Sequence, residues 1–130
     1  MRTNVADTNA LVRRFVQPAK LGRRARQRFD AIDAGSERCL VPAIVLVEWW
    51  MLYERGRLSA SPARLLEGLS GHPAYDVLPL DVAQAMEFGA LTAVRDPVDR
   101  LVAAAARSLD ADLLSSDGAF DERGLRRVWD

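Results

Sequence analysis

Short apolar stretches of strand length alternate along the chain with apolar positions that recur every three to four residues. This alternation of strands and helices builds a largely parallel sheet covered by helices. Residues 2–6 predict a first strand, although Thr3 and Asn4 stand where a buried central strand prefers aliphatic side chains. Residues 8–16 predict a short helix. A second helix is expected to open at Pro18, pass through Leu21, Ala25, Phe29 and Ile32, and end at Gly35. Residues 38–41 read as the second strand, and Pro42 opens an apolar helix that Gly56 closes. Ser61-Pro62 begins the next helix, through Leu65, Leu66 and Leu69, and Gly71-His72-Pro73 breaks it. Residues 75–78 predict a strand, Asp81 caps a helix through Val82, Met86 and Ala90, and Asp96-Pro97 caps one through Leu101, Val102, Ala105 and Leu109. A strand at 111–115, a helical turn at 117–122 and a last strand at 125–129 complete the pattern.

One position breaks it. The run from Cys39 to Tyr53 carries a single charge, Glu48, and its neighbours one helical turn away are Ile44, Val45, Met51 and Leu52. No rotation of that helix gives the carboxylate a polar stripe, so it must lie beside buried surface. An ionised acid there is costly unless it is paired, hydrogen-bonded or bound to a cation. The bland alternative is a helix end at which the acid just reaches water.

Composition narrows the possibilities. With 130 residues, of which 49% are hydrophobic, the chain suits one domain spanning 1–130. The 18 basic and 18 acidic residues cancel, so overall charge favours no polyanionic partner. Between residues 8 and 29, however, Arg13, Arg14, Lys20, Arg23, Arg24, Arg26 and Arg28 occur with no acid. This basic face suits a phosphate backbone and suits the solvated side of a helix equally well. Cys39 is the only cysteine, which excludes an internal disulfide and a multi-cysteine zinc site. No segment has the ~20 apolar residues of a spanning helix, so a soluble, cytoplasmic protein without membrane contact is expected.

Three further acids stand where strands hand over to helices: Asp7, Asp99 just after Asp96-Pro97, and Asp117. Ligands of an open parallel sheet bind at the carboxyl ends of its strands, and carboxylates gathered there suit a hard divalent ion. Each acid also has a structural reading. Asp96 is fully explained as a helix cap, Asp99 by the helix dipole, Asp117 as a cap and Asp7 as a turn residue. An Asp-based phosphatase fits poorly, because Asn9 stands where a second Asp belongs and Lys20 is the only lysine. Serine or cysteine hydrolysis fits worse, since His72 stands alone in a Pro/Gly turn.

Taken together, Asp7-Thr8-Asn9, Glu48 in its apolar helix, Asp96-Pro97-Val98-Asp99-Arg100-Leu101 and Leu113-Leu114-Ser115-Ser116-Asp117-Gly118-Ala119-Phe120 resemble the PIN-domain ribonucleases. Among these, the VapC toxins of bacterial toxin-antitoxin pairs are the most similar type. The resemblance implies a three-layer α/β/α PIN-like fold with a central, mainly parallel sheet. It also implies Mg²⁺- or Mn²⁺-dependent endoribonuclease activity, with Asp7, Glu48, Asp99 and Asp117 as the catalytic, metal-binding acids. Thr8, Asn9, Arg100 and Ser115 match its supporting positions, whereas Val45 stands where a Thr is often found. An antitoxin whose tail occupies the active site and a homodimer are implied as well. Trp49, Trp50, Met51 and Tyr53 are more apolar surface than one helix face buries, which suits an interface and suits a thick core equally. Arg13, Arg14, Arg23, Arg24, Arg26 and Arg28, with Arg100, would grip RNA phosphates away from the metal. The rival reading is a catalytically silent PIN-like interaction domain.

Overall fold

A computed structural model describes residues 1–122 and 124–130. Five strands form one sheet: β1 (Arg2–Ala6), β2 (Glu37–Pro42), β3 (Tyr75–Leu78), β4 (Asp112–Leu114) and β5 (Arg127–Val128). Their order is β3-β2-β1-β4-β5 and every pairing is parallel. Six helices connect them, α1 (Thr8–Phe15), α2 (Arg23–Asp33), α3 (Ala43–Glu54), α4 (Pro62–Ser70), α5 (Val82–Ala90) and α6 (Pro97–Ser108). Parallel strands need such crossovers, and their right-handedness distributes the helices over both faces as an α/β/α three-layer fold. Val5, Leu11, Phe29, Ile32, Val41, Trp49, Leu113 and Phe120 are fully buried between the layers.

The predicted elements recur with one division. The helix expected from Pro18 is split into a 3₁₀ turn, Pro18–Lys20, and α2. The chain's closing segment enters at this gap. The Trp129 carbonyl accepts a hydrogen bond from the Ala25 N–H at 2.7 Å, and a Cβ on Gly22 would come within 2.4 Å of that oxygen. Elsewhere the sequence signals act as expected: Ser61, Asp81 and Asp96 cap their helices, and Gly35 and Gly56 take positive φ at the ends of theirs.

The polar residues of β1 also find their reason. Asn4 is fully buried in the central strand, in register with Cys39 of β2 and Asp112 of β4. Its Nδ2 donates to Glu37 Oε1 at 2.9 Å and to the Arg38 carbonyl at 3.0 Å. Arg28 Nη1 donates to Asn4 Oδ1 at 2.9 Å and to Asp112 Oδ2 at 2.7 Å, while Arg126 Nε donates to Asp112 Oδ1 at 2.6 Å. Burial pushes the Asp112 carboxyl up, but the two guanidinium groups outweigh it and hold it below the usual carboxylate range. A buried polar network of this kind is stable only when every member is satisfied.

Arg28→Ala would leave Asn4 Oδ1 and Asp112 Oδ2 without a donor they now have. It should cost ~2–4 kcal/mol in urea unfolding, because buried polar and charged groups are expensive to orphan. Arg24→Ala, on the exposed side of the same helix, should change stability by less than ~0.5 kcal/mol.

Candidate active site

The strand order reverses direction between β1 and β4, and the carboxyl ends of these neighbouring strands form the switch point at which open parallel sheets bind ligands. Asp7 follows β1 directly. It is 7% exposed, its N–H donates to the Leu114 carbonyl at the end of β4 (3.2 Å), and its Oδ1 accepts from the Ala10 N–H at 2.8 Å, capping α1. Ser115, fully buried just beyond β4, accepts the Asp117 N–H on its Oγ at 3.0 Å, and its hydroxyl lies near enough to the Asp7 carboxylate to favour the charged form. One hydroxyl side chain therefore stands between the first acid and the fourth.

Two of the four acids feel the charge of the others here. Burial pushes the Asp7 carboxyl up to about 6, against the hydrogen bonds from Ser115 and Ala10, and the charges of Asp99 and Glu48 add to the rise. Asp99, in the first turn of α6, is also pushed up to about 6, by burial first and then by Asp96, Asp117 and Glu48. Asp117 caps the 3₁₀ turn Gly118–Phe120, with Oδ1 accepting from the Ala119 N–H at 2.9 Å. Glu48 is half-buried on α3, between the buried Val45 and Trp49 and the exposed Val47 and Trp50. Its charge reaches both Asp7 and Asp99.

The supporting positions diverge. Thr8 is 3% exposed, and its Oγ1 makes no hydrogen bond among the described residues; Asn9 is exposed. Asp96 does what a cap does, accepting the Asp99 N–H at 3.0 Å. Val45 lies wholly inside the core and offers Glu48 no polar support. Arg100 is tethered. Its Nε donates to the Phe88 carbonyl at 2.9 Å and its guanidinium stacks 4.1 Å over the Phe88 ring, pinning α6 to the end of α5.

The basic residues divide by their contacts. Arg28 is committed to Asn4 and Asp112, Arg14 is ion-paired with Asp33, and Arg13 lies 5.5 Å from the Trp129 ring centroid. Only Arg23, Arg24 and Arg26 of the six remain exposed, and Arg26 Nη2 donates to the Pro18 carbonyl at 2.7 Å. Sequence reading also missed Arg127, which hydrogen-bonds Asp121 and the Ser115 carbonyl. Nothing in the local pattern of β5 marks it, because its partners come from another loop.

Among the described residues, no three His, Cys, Asp or Glu side chains are arranged to hold a metal ion as they stand. The site nonetheless fits a hard cation. Two carboxylates are driven toward protonation by burial and by their neighbours' charge, and an unpartnered hydroxyl lies buried next to one of them. Mg²⁺ is commonly held by one or two carboxylates with waters completing its shell.

A parallel three-layer α/β fold with an acidic site at its switch point defines the class of the molecule. A PIN domain model matches residues 5–124, and the chain belongs to the PIN domain family, whose general role is that of a nuclease. Similar solved structures include VapBC2 from Rickettsia felis bound to a promoter DNA fragment, with TM-score 0.73 and 15% identity over 98% of this chain and 99% of that one. DNA-bound VapBC from Salmonella typhimurium gives TM-score 0.68 and 21% identity over 98% and 97%. FitAcB from Neisseria gonorrhoeae gives 0.65 and 17% over 95% of each chain. At these identities the likeness is one of fold. No curated protein matches the sequence.

The raised carboxyls give a pH dependence of definite sign. In the unfolded chain Asp7 and Asp99 titrate near ~4, whereas in the native state both hold their protons to about 6. The native state therefore binds more protons across that interval, and the stability of the metal-free protein should fall as pH rises from ~4 to ~7. Asp7→Asn keeps a good helix cap and removes the buried charge, so it should raise metal-free stability at pH 7.5 by ~2 kcal/mol and flatten the pH profile. Thermal melts from pH 4.5 to 8 check this; a profile unchanged by the substitution refutes it.

Proposed function

We propose that this chain is a VapC-type toxin, a metal-dependent endoribonuclease built as one PIN domain over residues 1–130 and acting in the cytoplasm. The observation that carries the reading is the convergence of acidic charge at the switch point, where Glu48 and Asp99 act on Asp7, Asp117 and Glu48 act on Asp99, and the Asp7 and Asp99 carboxyls are pushed up to about 6. Asp7 and Asp99, raised by burial and further by neighbouring acidic charge, form an anionic site that a divalent cation would relieve.

Asp7 and Asp99 would hold the Mg²⁺ or Mn²⁺, with Glu48 and Asp117 completing or flanking the set. The ion supplies a lowered pKa to bound water and neutralises charge on the phosphate. The chain's own residues do the remaining work. The N-terminus of α1 fixes the Asp7 carboxylate through the Ala10 N–H, so its geometry is set before substrate arrives. Glu48 would orient an attacking water by accepting its proton in a hydrogen bond. Exposed Arg23, Arg24 and Arg26 offer phosphate contacts along the strand. Because Arg100 is held against Phe88, its role here is to fix the first turn of α6 and with it Asp99.

Protein partners follow from the apolar surface. Trp49 is not part of it: it is buried, with its indole N–H donating to the Ala60 carbonyl at 2.8 Å. Phe15 and Val16 are exposed at a groove lined also by Trp49, Ala60, Leu65 and Gly68 between α1, α3 and α4, and we assign this groove to the antitoxin. Leu80, Val82 and Met86 are also exposed, and Val82 and Met86 lie one turn apart on α5. They form the face of a homodimer.

Two measurements test this. Total cellular RNA incubated with Mg²⁺, Mn²⁺ or chelator should be cleaved only with metal, and Asp7→Asn should lower the rate by ~10²-fold or more. Glu48→Gln should fold normally and also lose activity, whereas cleavage that survives chelator or either substitution sinks the mechanism. In light scattering the isolated chain should have the mass of a dimer, and Val82→Asp with Met86→Asp should halve it. A monomeric wild type removes the homodimer.

A further inference from the structure

Resting on the reading of the switch point as a hydrolytic site, the geometry points to Arg127 as a positioning residue: its guanidinium straps both ends of the turn that carries Asp117, and so sets where that carboxylate stands relative to Asp99. The turn runs from Ser115 to Asp121. At its far end the Asp121 carboxylate is gripped by two parallel bonds, Arg127 Nε to Oδ1 at 2.8 Å and Nη2 to Oδ2 at 2.9 Å. At its near end Arg127 Nη1 donates to the Ser115 carbonyl at 3.3 Å. One planar group therefore closes a seven-residue segment at residues 115 and 121, and its fork geometry is what allows three bonds in fixed directions.

Inside that segment, the remaining bonds of Asp117 are all local. Its N–H goes to Ser115 Oγ and its Oδ1 accepts from the Ala119 N–H. Asp117 is itself exposed, and its turn is held on two sides, by the fully buried Phe120 ring and by the Arg127 strap that ties Ser115 and Asp121 to β5. Arg127 is well placed for this, since β5 lies against β4 with Val128 opposite Leu114, while its guanidinium is only partly exposed. The Asp121 bonds hold the Arg127 side chain firmly protonated, and the Asp117 charge contributes to the same effect. A permanent cation thus stands by the acid at the outer edge of the cluster, without being one of the groups that would meet the reacting phosphate.

The test compares Arg127→Ala, Arg127→Lys and Asp121→Asn with the wild-type chain. Hydrogen exchange in metal-free protein should show residues 116–121 exchanging ~10-fold faster in Arg127→Ala and Asp121→Asn, with β1 and α6 unaltered. With RNA and Mg²⁺, kcat should fall ~10-fold while KM stays within about twofold, as expected for a misplaced group rather than a lost contact. Lys at 127 keeps the charge but not the fork, so it should recover little. Asp121→Asn leaves β5 untouched and carries the test if Arg127→Ala fails to fold. Unchanged exchange in the turn overturns the strap, whether or not the wild type cleaves RNA. Full recovery by Lys overturns it in favour of charge alone, and a raised KM with normal kcat overturns it in favour of phosphate binding. A wild type without metal-dependent cleavage defeats the hydrolytic reading, and the exchange measurement still decides the strap.

Discussion

The buried carboxylate of Asp7 is the constraint around which the rest of the site is arranged. It lies where the central strand ends, beside β4, and almost nothing there can hydrate it. What keeps it in place is local and backbone-based: the N-terminus of α1, the Ser115 hydroxyl and the hydrogen bond from its own N–H to Leu114. The Ala10 N–H and the Ser115 hydroxyl favour the charged form, yet burial outweighs them and the carboxyl remains raised. The protein therefore maintains a destabilised anion at its switch point. The same surroundings that make the acid costly make it available to a cation.

The opposite end of the same strand poses the reverse problem and solves it completely. Asn4 and Asp112 are buried side by side, but Arg28 and Arg126 satisfy them, and the Asp112 carboxyl is held low rather than high. Two buried aspartates near adjacent strands thus carry opposite electrostatic signatures. The one compensated by fixed cations is structural. The one left facing other acids is the candidate for chemistry.

Arginine does much of this sorting. Of the basic side chains that could have faced a phosphate backbone, Arg14 and Arg28 are spent within the fold, Arg13 lies close to Trp129 and Arg100 is stacked on Phe88. Arg127 closes the turn around Asp117. A planar group with several directed donors can bridge two or three elements at once, which a lysine cannot. This fits a chain of 18 basic residues that contains a single lysine.

Much of the architecture was legible in the sequence because it depends on local chemistry. Caps at Ser61, Asp81 and Asp96, glycines at 35 and 56, and the alternation of apolar periods locate nearly every helix and strand. The acids at strand ends were legible for the same reason, since topology alone sends Asp7 and Asp117 to one edge of the sheet. What the sequence could not assign was the partner of each polar side chain. Asn4 read as a weak strand residue until Arg28 and Glu37 reached it, and the basic run read as one face until α2 turned Arg28 inward. Gly22 looked like helix interior until Trp129 arrived from the far end of the chain. By itself the sequence determined which elements form and which acids stand at their ends, because caps, periods and strand order act over a few residues. Which of those acids stays uncompensated, and which arginine holds its loop, was decided only by the tertiary structure, because contacts between residues as distant as Asn4 and Asp112 exist only once the chain has closed.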